Sequence, residues 1–203
     1  MYKKKPFFIV FEGVEGCGKT YQAKKLYKNL IKKGEKSILT REPGGTRGAE
    51  SIRNLILKDY FKKGKNDKFD KYTDTLLYLA ARNEHITNKI RPALKDKKIV
   101  ICDRFIDSTL AYQVFGKKVN KHFIQNIHKY ILKGIKPNLT FVLKVSPKTS
   151  KIRLKKRKTK NRYDNFAQSF YSKAQKSFIK IAKNKKNYFI LNSSKNDSGL
   201  EKI

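Results

Sequence analysis

Five short runs rich in β-branched and aromatic residues recur along the chain, at Phe7 to Glu12, Lys36 to Thr40, Lys98 to Asp103, Leu139 to Val145 and Tyr188 to Leu191. The intervals between them are long enough for helices, and strands alternating with helices predict a parallel sheet covered on both faces. In the first interval Ala23, Leu26, Leu30 and Ile31 follow helical spacing, and Gly34 stands where a C-terminal cap is expected. Ile52, Leu55 and Ile56 repeat the pattern. A longer helix is predicted from about Tyr72 to Ile90, ended by Pro92 and buried at the centre because Leu76, Leu77, Tyr78, Leu79, Ala80 and Ala81 crowd together. Phe166, Phe170, Ala174 and Phe178 recur every four residues, which predicts an amphipathic helix with an aromatic core stripe. With no internal repeat and no Pro- or Ser-rich linker, the pattern reads as one domain over residues 1–203.

Composition sharpens this picture in two places. A chain of 203 residues with 38% hydrophobic content can bury one substantial core. Its apolar runs, such as Phe7 to Phe11, are far shorter than the roughly 20 residues needed to cross a bilayer. The basic start Met1 to Lys5 is followed by Glu12 and glycines within one short apolar run, so no secretory signal is expected. Cys17 and Cys102 are too few for a disulfide framework, and the expected compartment is the cytoplasm. The formal charge of +34 points, on its own, to nucleic acid or an anionic surface. Only nine of the 50 basic residues are arginine, however, and the lysines are spread over nearly every segment, as on solvated faces. Positions that keep arginine on this lysine-rich background are therefore candidates for work that needs a fixed, bidentate cation.

Gly13-Val14-Glu15-Gly16-Cys17-Gly18-Lys19-Thr20 satisfies G-x-x-x-x-G-K-[ST] between the first predicted strand and the first predicted helix. Glycines let successive backbone N–H groups turn inward around phosphate oxygens, and the helix N-terminus adds partial positive charge. Lys19 would reach the β- and γ-phosphates, and the Thr20 hydroxyl would ligate Mg2+. Asp103 closes the third predicted strand, where a carboxylate can hold a metal-bound water; a simple strand-end cap is the alternative reading. Arg104 follows it.

Several segments together resemble bacterial thymidylate kinases: Phe11-Glu12-Gly13-Val14-Glu15-Gly16, Thr40-Arg41-Glu42-Pro43-Gly44-Gly45-Thr46, Leu76 to Arg82, and Asp103-Arg104-Phe105 with Ser108 and Ala111-Tyr112-Gln113. The resemblance covers nearly the whole chain in order, and Arg-Glu-Pro-Gly-Gly-Thr is its most specific stretch. It implies a three-layer α/β/α fold of the P-loop type, with a five-stranded parallel sheet in the order 2-3-1-4-5 and a short basic lid. The implied activity is phosphorylation of dTMP to dTDP with ATP and Mg2+, by a homodimer that supplies dTTP synthesis.

The same resemblance implies roles for individual residues. Gly13 to Thr20 would hold ATP, with Lys19, Arg104, Glu15 and Arg157 catalytic. Glu15 would meet the sugar 3′-hydroxyl or a metal-bound water. Tyr78 would stack on thymine, and Arg82, one helical turn on, would reach the base or the acceptor phosphate. Glu42 and Pro43 would form the opposite wall, with Ser108, Thr109, Tyr112 and Gln113 lining base and sugar, Arg104 on the phosphate and Arg53 a further candidate. Thr20 and Asp103 would hold Mg2+, partly through water.

Lys151 to Arg162, with Lys or Arg at eight of twelve positions, reads as a mobile surface segment, and the resemblance makes residues 151–164 the lid. The cradle has no basic residue between its outer glycines, so the resemblance assigns the catalytic arginine to the lid, with Arg157 on the moving phosphoryl group and Arg153 nearer the adenine or α-phosphate. Three positions depart from the family pattern: lysines at 155, 156 and 158, Cys17 in the cradle, and a chain ending soon after Asn192-Ser193-Ser194. Two other readings stay open: a P-loop kinase of another acceptor, against which the Arg-Glu-Pro-Gly-Gly-Thr stretch argues, and a basic nucleic-acid-binding protein.

Overall fold

The chain is described, in a computed structural model, over residues 5–57, 69–156 and 168–194. Strands β1 (Phe7–Gly13), β2 (Ser37–Arg41), β3 (Ile99–Asp103), β4 (Leu139–Lys144) and β5 (Tyr188–Asn192) follow the five predicted runs within a residue or two. All pair in parallel, in the order β2-β3-β1-β4-β5. The two connections that leave β1 and β3 run to opposite sides, so a crevice opens beyond their carboxyl ends, at Gly13 and Asp103.

Period-two alternation divides the core into layers. Phe8 and Val10 of β1, with Val100 and Cys102 of β3, face one side and pack on Leu79, Ile86 and Ile90. Ile9, Phe11 and Ile101 face the other and pack on Ala23, Leu26 and Leu30 of α1 (Lys19–Lys32). Burial of β1 on both faces is why its sequence is a continuous apolar run rather than an alternating one. Helix α2 (Arg47–Leu57) follows β2 and buries Ala49 and Ile56.

Helix α3 (Lys71–His85) corrects the expectation of a wholly buried apolar helix: Asp74, Thr75, Arg82 and His85 are buried, whereas Leu76 is 47% exposed and Ala80 lies outside. Six consecutive residues at 100° each circle the whole helix, so an unbroken apolar block cannot share one face. Nor does Pro92 end the helix. A π turn over Ile86–Ile90 carries α3 into α4 (Arg91–Lys95), and the Arg91 N–H reaches back five residues to Ile86, so Pro92 enters at an opening turn where its missing N–H is tolerated.

Beyond β3, α5 (Ile106–Thr109) leads into a second π turn, Leu110–Gly116. Helix α6 (Lys121–Leu132) is capped by the Asn120 side chain, and α7 (Pro147–Lys155) by Ser146 with Pro147 in its first turn. Helix α8 (Gln168–Ala182) lays Ala174 and Phe178 against Val142 and Val145, as the aromatic stripe predicts; Phe166, which begins that stripe, lies outside the described residues. Among the described residues, no helix is long and apolar enough to cross a membrane.

Candidate active site

The cradle is built where β1 stops. Gly13, Gly16 and Gly18 have φ of 138°, 71° and 94°. A Cβ on Gly13 would lie 2.6 Å from the Leu143 carbonyl oxygen, and one on Gly16 2.8 Å from that of Ser150. At Gly13 and Gly16, side chains are therefore excluded by both conformation and space. Three successive carbonyls of the loop are held from outside. Ser150 Oγ donates to Glu15 O at 2.8 Å, Arg153 Nη1 to Gly16 O at 3.3 Å, and Ser193 Oγ to Cys17 O at 2.8 Å. Arg153 also donates to Ser193 O, at 2.8 Å. Lys19 curls over the loop, its Nζ 2.8 Å from Val14 O and 3.6 Å from Cys17 Sγ.

At the mouth of the cradle the Thr20 hydroxyl donates to Asp103 Oδ2, while Asp103 Oδ1 is buried and accepts no hydrogen bond from the described residues. A hydroxyl beside a half-satisfied buried carboxylate suits a hard, oxygen-loving cation bound partly through water.

Arg104 follows Asp103 in the left-handed region, φ 74°, its backbone N–H donating to Phe11 O at 2.9 Å. Its guanidinium reaches Gly13 O (2.9 Å), Ser108 Oγ (3.1 Å) and Glu15 Oε1 (2.8 Å). Tyr112 donates to the other Glu15 oxygen at 2.6 Å. Burial alone would raise the Glu15 pKa, but the charges of Arg104 and Lys19 outweigh it and hold the carboxylate below its usual value. Arg53 donates to Pro43 O at 2.7 Å, beside the cis Glu42–Pro43 bond.

Behind this wall lies a buried polar network. Arg82 Nε pairs with Glu42 Oε2 at 2.7 Å, both side chains under 5% exposed. Its Nη1 reaches Thr109 Oγ1 and His128 Nε2, each at 2.8 Å, and its Nη2 donates to Phe105 O at 2.9 Å. His85 bridges Glu42 Oε1 at 3.2 Å and Thr40 Oγ1 at 2.6 Å. Burial, helped by the Arg82 charge, pushes the His128 pKa down to about 3. A neutral ring can accept the Arg82 proton at Nε2.

These groups surround one cavity of about 710 Å³. Of the residues singled out from sequence, Glu15, Gly16, Gly18, Lys19, Thr20 and Arg153 line its cradle end. Glu42, Pro43, Arg53, Tyr78, Arg82, Ser108, Thr109, Tyr112 and Gln113 line the other, with Asp103 and Arg104 between. Gly13, Val14 and Cys17 support the loop from behind. Gln113 Nε2 is buried without a hydrogen-bond partner among the described residues. Arg157 and lid residues 157–164 lie outside the described residues. Sequence reasoning gave no role to His85, His128, Ser150 or Ser193, and saw Glu12 only as a letter of a motif. The one signal for them was a polar residue at an apolar position, as with Glu12 inside an otherwise hydrophobic strand.

The thymidylate kinase family profile matches residues 11–202. A thymidylate kinase of Prochlorococcus marinus (strain AS9601) is 43% identical over 194 residues, 93% of this chain and 89% of that protein. One from Aster yellows witches'-broom phytoplasma is 41% identical over 97% of this chain and 92% of its own. The crystal structure of thymidylate kinase from Ehrlichia chaffeensis superposes with a TM-score of 0.72 at 33% identity, covering 95% of this chain and 89% of that one. The family profile spans the cradle, the Arg-Glu-Pro-Gly-Gly-Thr wall and the far sheet edge alike, and the chain belongs to the thymidylate kinase family.

Proposed function

We propose that the chain transfers the γ-phosphoryl group of ATP to the phosphate of dTMP. The observation that carries this reading is a single cavity with a backbone-amide cradle at one end and, within reach of it, Arg104 and an aromatic pocket at the other. Gly13 to Thr20 grips the donor phosphates, with Lys19 leaving Val14 O to meet the β- and γ-phosphates. Thr20 and Asp103 would hold Mg2+, partly through water, and the ion would supply positive charge beside the donor phosphates. Arg104, and Arg53 beside Pro43, meet the acceptor phosphate. Tyr78 stacks on the thymine, and Gln113, whose Nε2 has no hydrogen-bond partner among the described residues, lies in its wall.

An acceptor phosphate arriving at Arg104 competes with Glu15 for the guanidinium. Glu15 is then available to the sugar 3′-hydroxyl while Tyr112 keeps its other oxygen. The acceptor oxygen is already ionised, so no general base is needed. Positioning and charge neutralisation carry the acceleration. Arg153, tied to Gly16 O and Ser193 O, sits on the adenine side, and Arg157 of the lid supplies the remaining cation. We read the chain as one domain, working in the cytoplasm and paired as a homodimer.

A steady-state assay of ATP against dTMP, dUMP, dCMP, dGMP and AMP tests the reading. dTMP should be the preferred acceptor; preference for any other overturns the substrate assignment. Lys19→Ala should lower kcat at least a hundredfold, about 2.7 kcal/mol of barrier, and retention of most of the turnover would overturn the assignment of the cradle.

A further inference from the structure

We propose that Glu12 is a positioning residue for Arg104: through Ser108, its ionised carboxylate sets the guanidinium that meets the acceptor phosphate, a role that rests on the acceptor reading above. Glu12 is fully buried on β1, inside an otherwise apolar stretch just before Gly13, and does not line the cavity. Its side chain turns toward the bend that follows β3. Oε1 accepts the Phe105 N–H at 2.8 Å and the Ser108 N–H at 3.2 Å, and Oε2 accepts the Ser108 hydroxyl at 2.6 Å. The helix that starts there has Phe105 at its cap, which has no side-chain oxygen to give, so a neighbouring strand supplies the carboxylate instead.

The consequence falls on Arg104. Its backbone sits at φ 74°, a conformation that costs a non-glycine residue about 1–2 kcal/mol. Such a bend must be held by its neighbours, and Glu12 grips the next residue along. The side chain is held as well. Arg104 Nη1 donates to Ser108 Oγ at 3.1 Å, and Ser108 has one proton of its own. With Glu12 ionised, that proton goes to Oε2 and the serine lone pairs face the guanidinium. With Glu12 protonated at Oε2, the carboxyl proton takes one serine lone pair and the guanidinium the other, and the serine proton loses its acceptor, so Ser108 is no longer polarised toward the arginine. Only the ionised form completes the relay Arg104 to Ser108 to Glu12.

That form is costly here. Burial, together with the negative charge of Asp107, pushes Glu12 up to about 7, against the pull of the Ser108 hydrogen bond, the Arg104 charge and the Phe105 N–H. The other titratable groups around it are Cys102 on β3 and Tyr188 on β5, both neutral, since burial and neighbouring carboxylates raise their pKa values. A carboxylate kept in so unfavourable a place fits a group retained for what its charge orients rather than for stability.

The test is Glu12→Gln, which keeps an oxygen for the two N–H groups but places an NH2 against the serine, so that Ser108 loses the acceptor for its own proton. dTMP affinity by calorimetry should weaken about tenfold at pH 8, the size of one lost charge-assisted hydrogen bond. KM for ATP should stay within twofold, and the Tm at pH 8 should not fall below that of the wild type. The loss should shrink toward pH 6, where the wild-type carboxyl is itself protonated; titration of the dTMP phosphate is common to both proteins and cancels in the ratio. A variant-to-wild-type affinity ratio that is near unity, or flat with pH, overturns the proposal, as does joint weakening of ATP and dTMP with a lower Tm. If Glu12→Gln yields no folded protein, Ser108→Ala cuts the relay at its middle. Its affinity ratio to wild type must show the same pH dependence, or the proposal fails. A wild type that binds no dTMP would instead sink the acceptor reading and this role with it.

Discussion

Replacing Arg82 with methionine removes the charge while keeping much of the volume, and the cost follows from what is left behind. Glu42 is 4% exposed and, among the described residues, its side chain would keep only His85, so an uncompensated carboxylate stays in the interior. Breaking one partner out of a buried ion pair costs about 3–5 kcal/mol. Phe105 O, Thr109 and His128 lose their donor at the same stroke. These losses overlap, so about 3 kcal/mol is the floor rather than a sum. For a chain of this length, with about 2–4 °C per kcal/mol, the Tm should fall by at least about 6 °C in a reversible calorimetric melt. Adding Glu42→Leu should recover most of that loss, because the orphaned charge leaves with its partner. A single variant melting within about 2 °C of the wild type would refute the idea that Arg82 is the keystone of the pocket floor, as would a double variant no more stable than the single one.

The His128 ring has a folded pKa near 3 against 6.5 unfolded, so below pH 6.5 the unfolded chain takes up a proton the native state refuses. Stability should therefore drain away between pH 6.5 and 3, and His128→Gln should gain on the wild type by up to about 1.4 kcal/mol per pH unit in that window, with no gain above pH 7.5; urea titrations at pH 7.5 and 5 that give equal differences would refute it. Gly45 has φ 93°, and a Cβ there would lie 2.5 Å from Thr40 Oγ1 and 2.6 Å from the His85 ring. Gly45→Ala should cost about 2 kcal/mol or more and raise the acceptor KM. Gly34→Ala, at φ 73° with nothing within 4 Å, should cost about 1 kcal/mol and leave the kinetics alone; equal effects at the two sites would remove the clash as the cause.

What the sequence reveals about this molecule tracks how local the cause is. The cradle is readable because glycine spacing and strand-to-helix context lie within eight residues. Strand positions are readable because burial on both faces leaves unbroken apolar runs. Of the nine arginines set apart by the lysine-rich background, Arg41, Arg53, Arg82, Arg104 and Arg153 line the cavity, whereas Arg47 and Arg91 do not. The groups that shape those residues were invisible because their partners are far along the chain: Glu12 meets Ser108, His85 meets Glu42, His128 meets Arg82, and Ser193 meets Cys17. Helix α3 misled for a related reason. Its apolar count was right, but Asp74, which receives Lys117 Nζ at 2.7 Å, and Arg82 claim the inner face, and Leu76 is left outside.

The outside grip on the phosphate loop ties distant parts of the chain to one another. Ser150 and Arg153 belong to α7, and Ser193 lies just past the last strand. Peptide planes clamped by their oxygens cannot swivel, so their amides stay aimed inward before any nucleotide arrives. A loop held this way arrives already arranged, and any displacement of α7 would tug directly on its peptide planes.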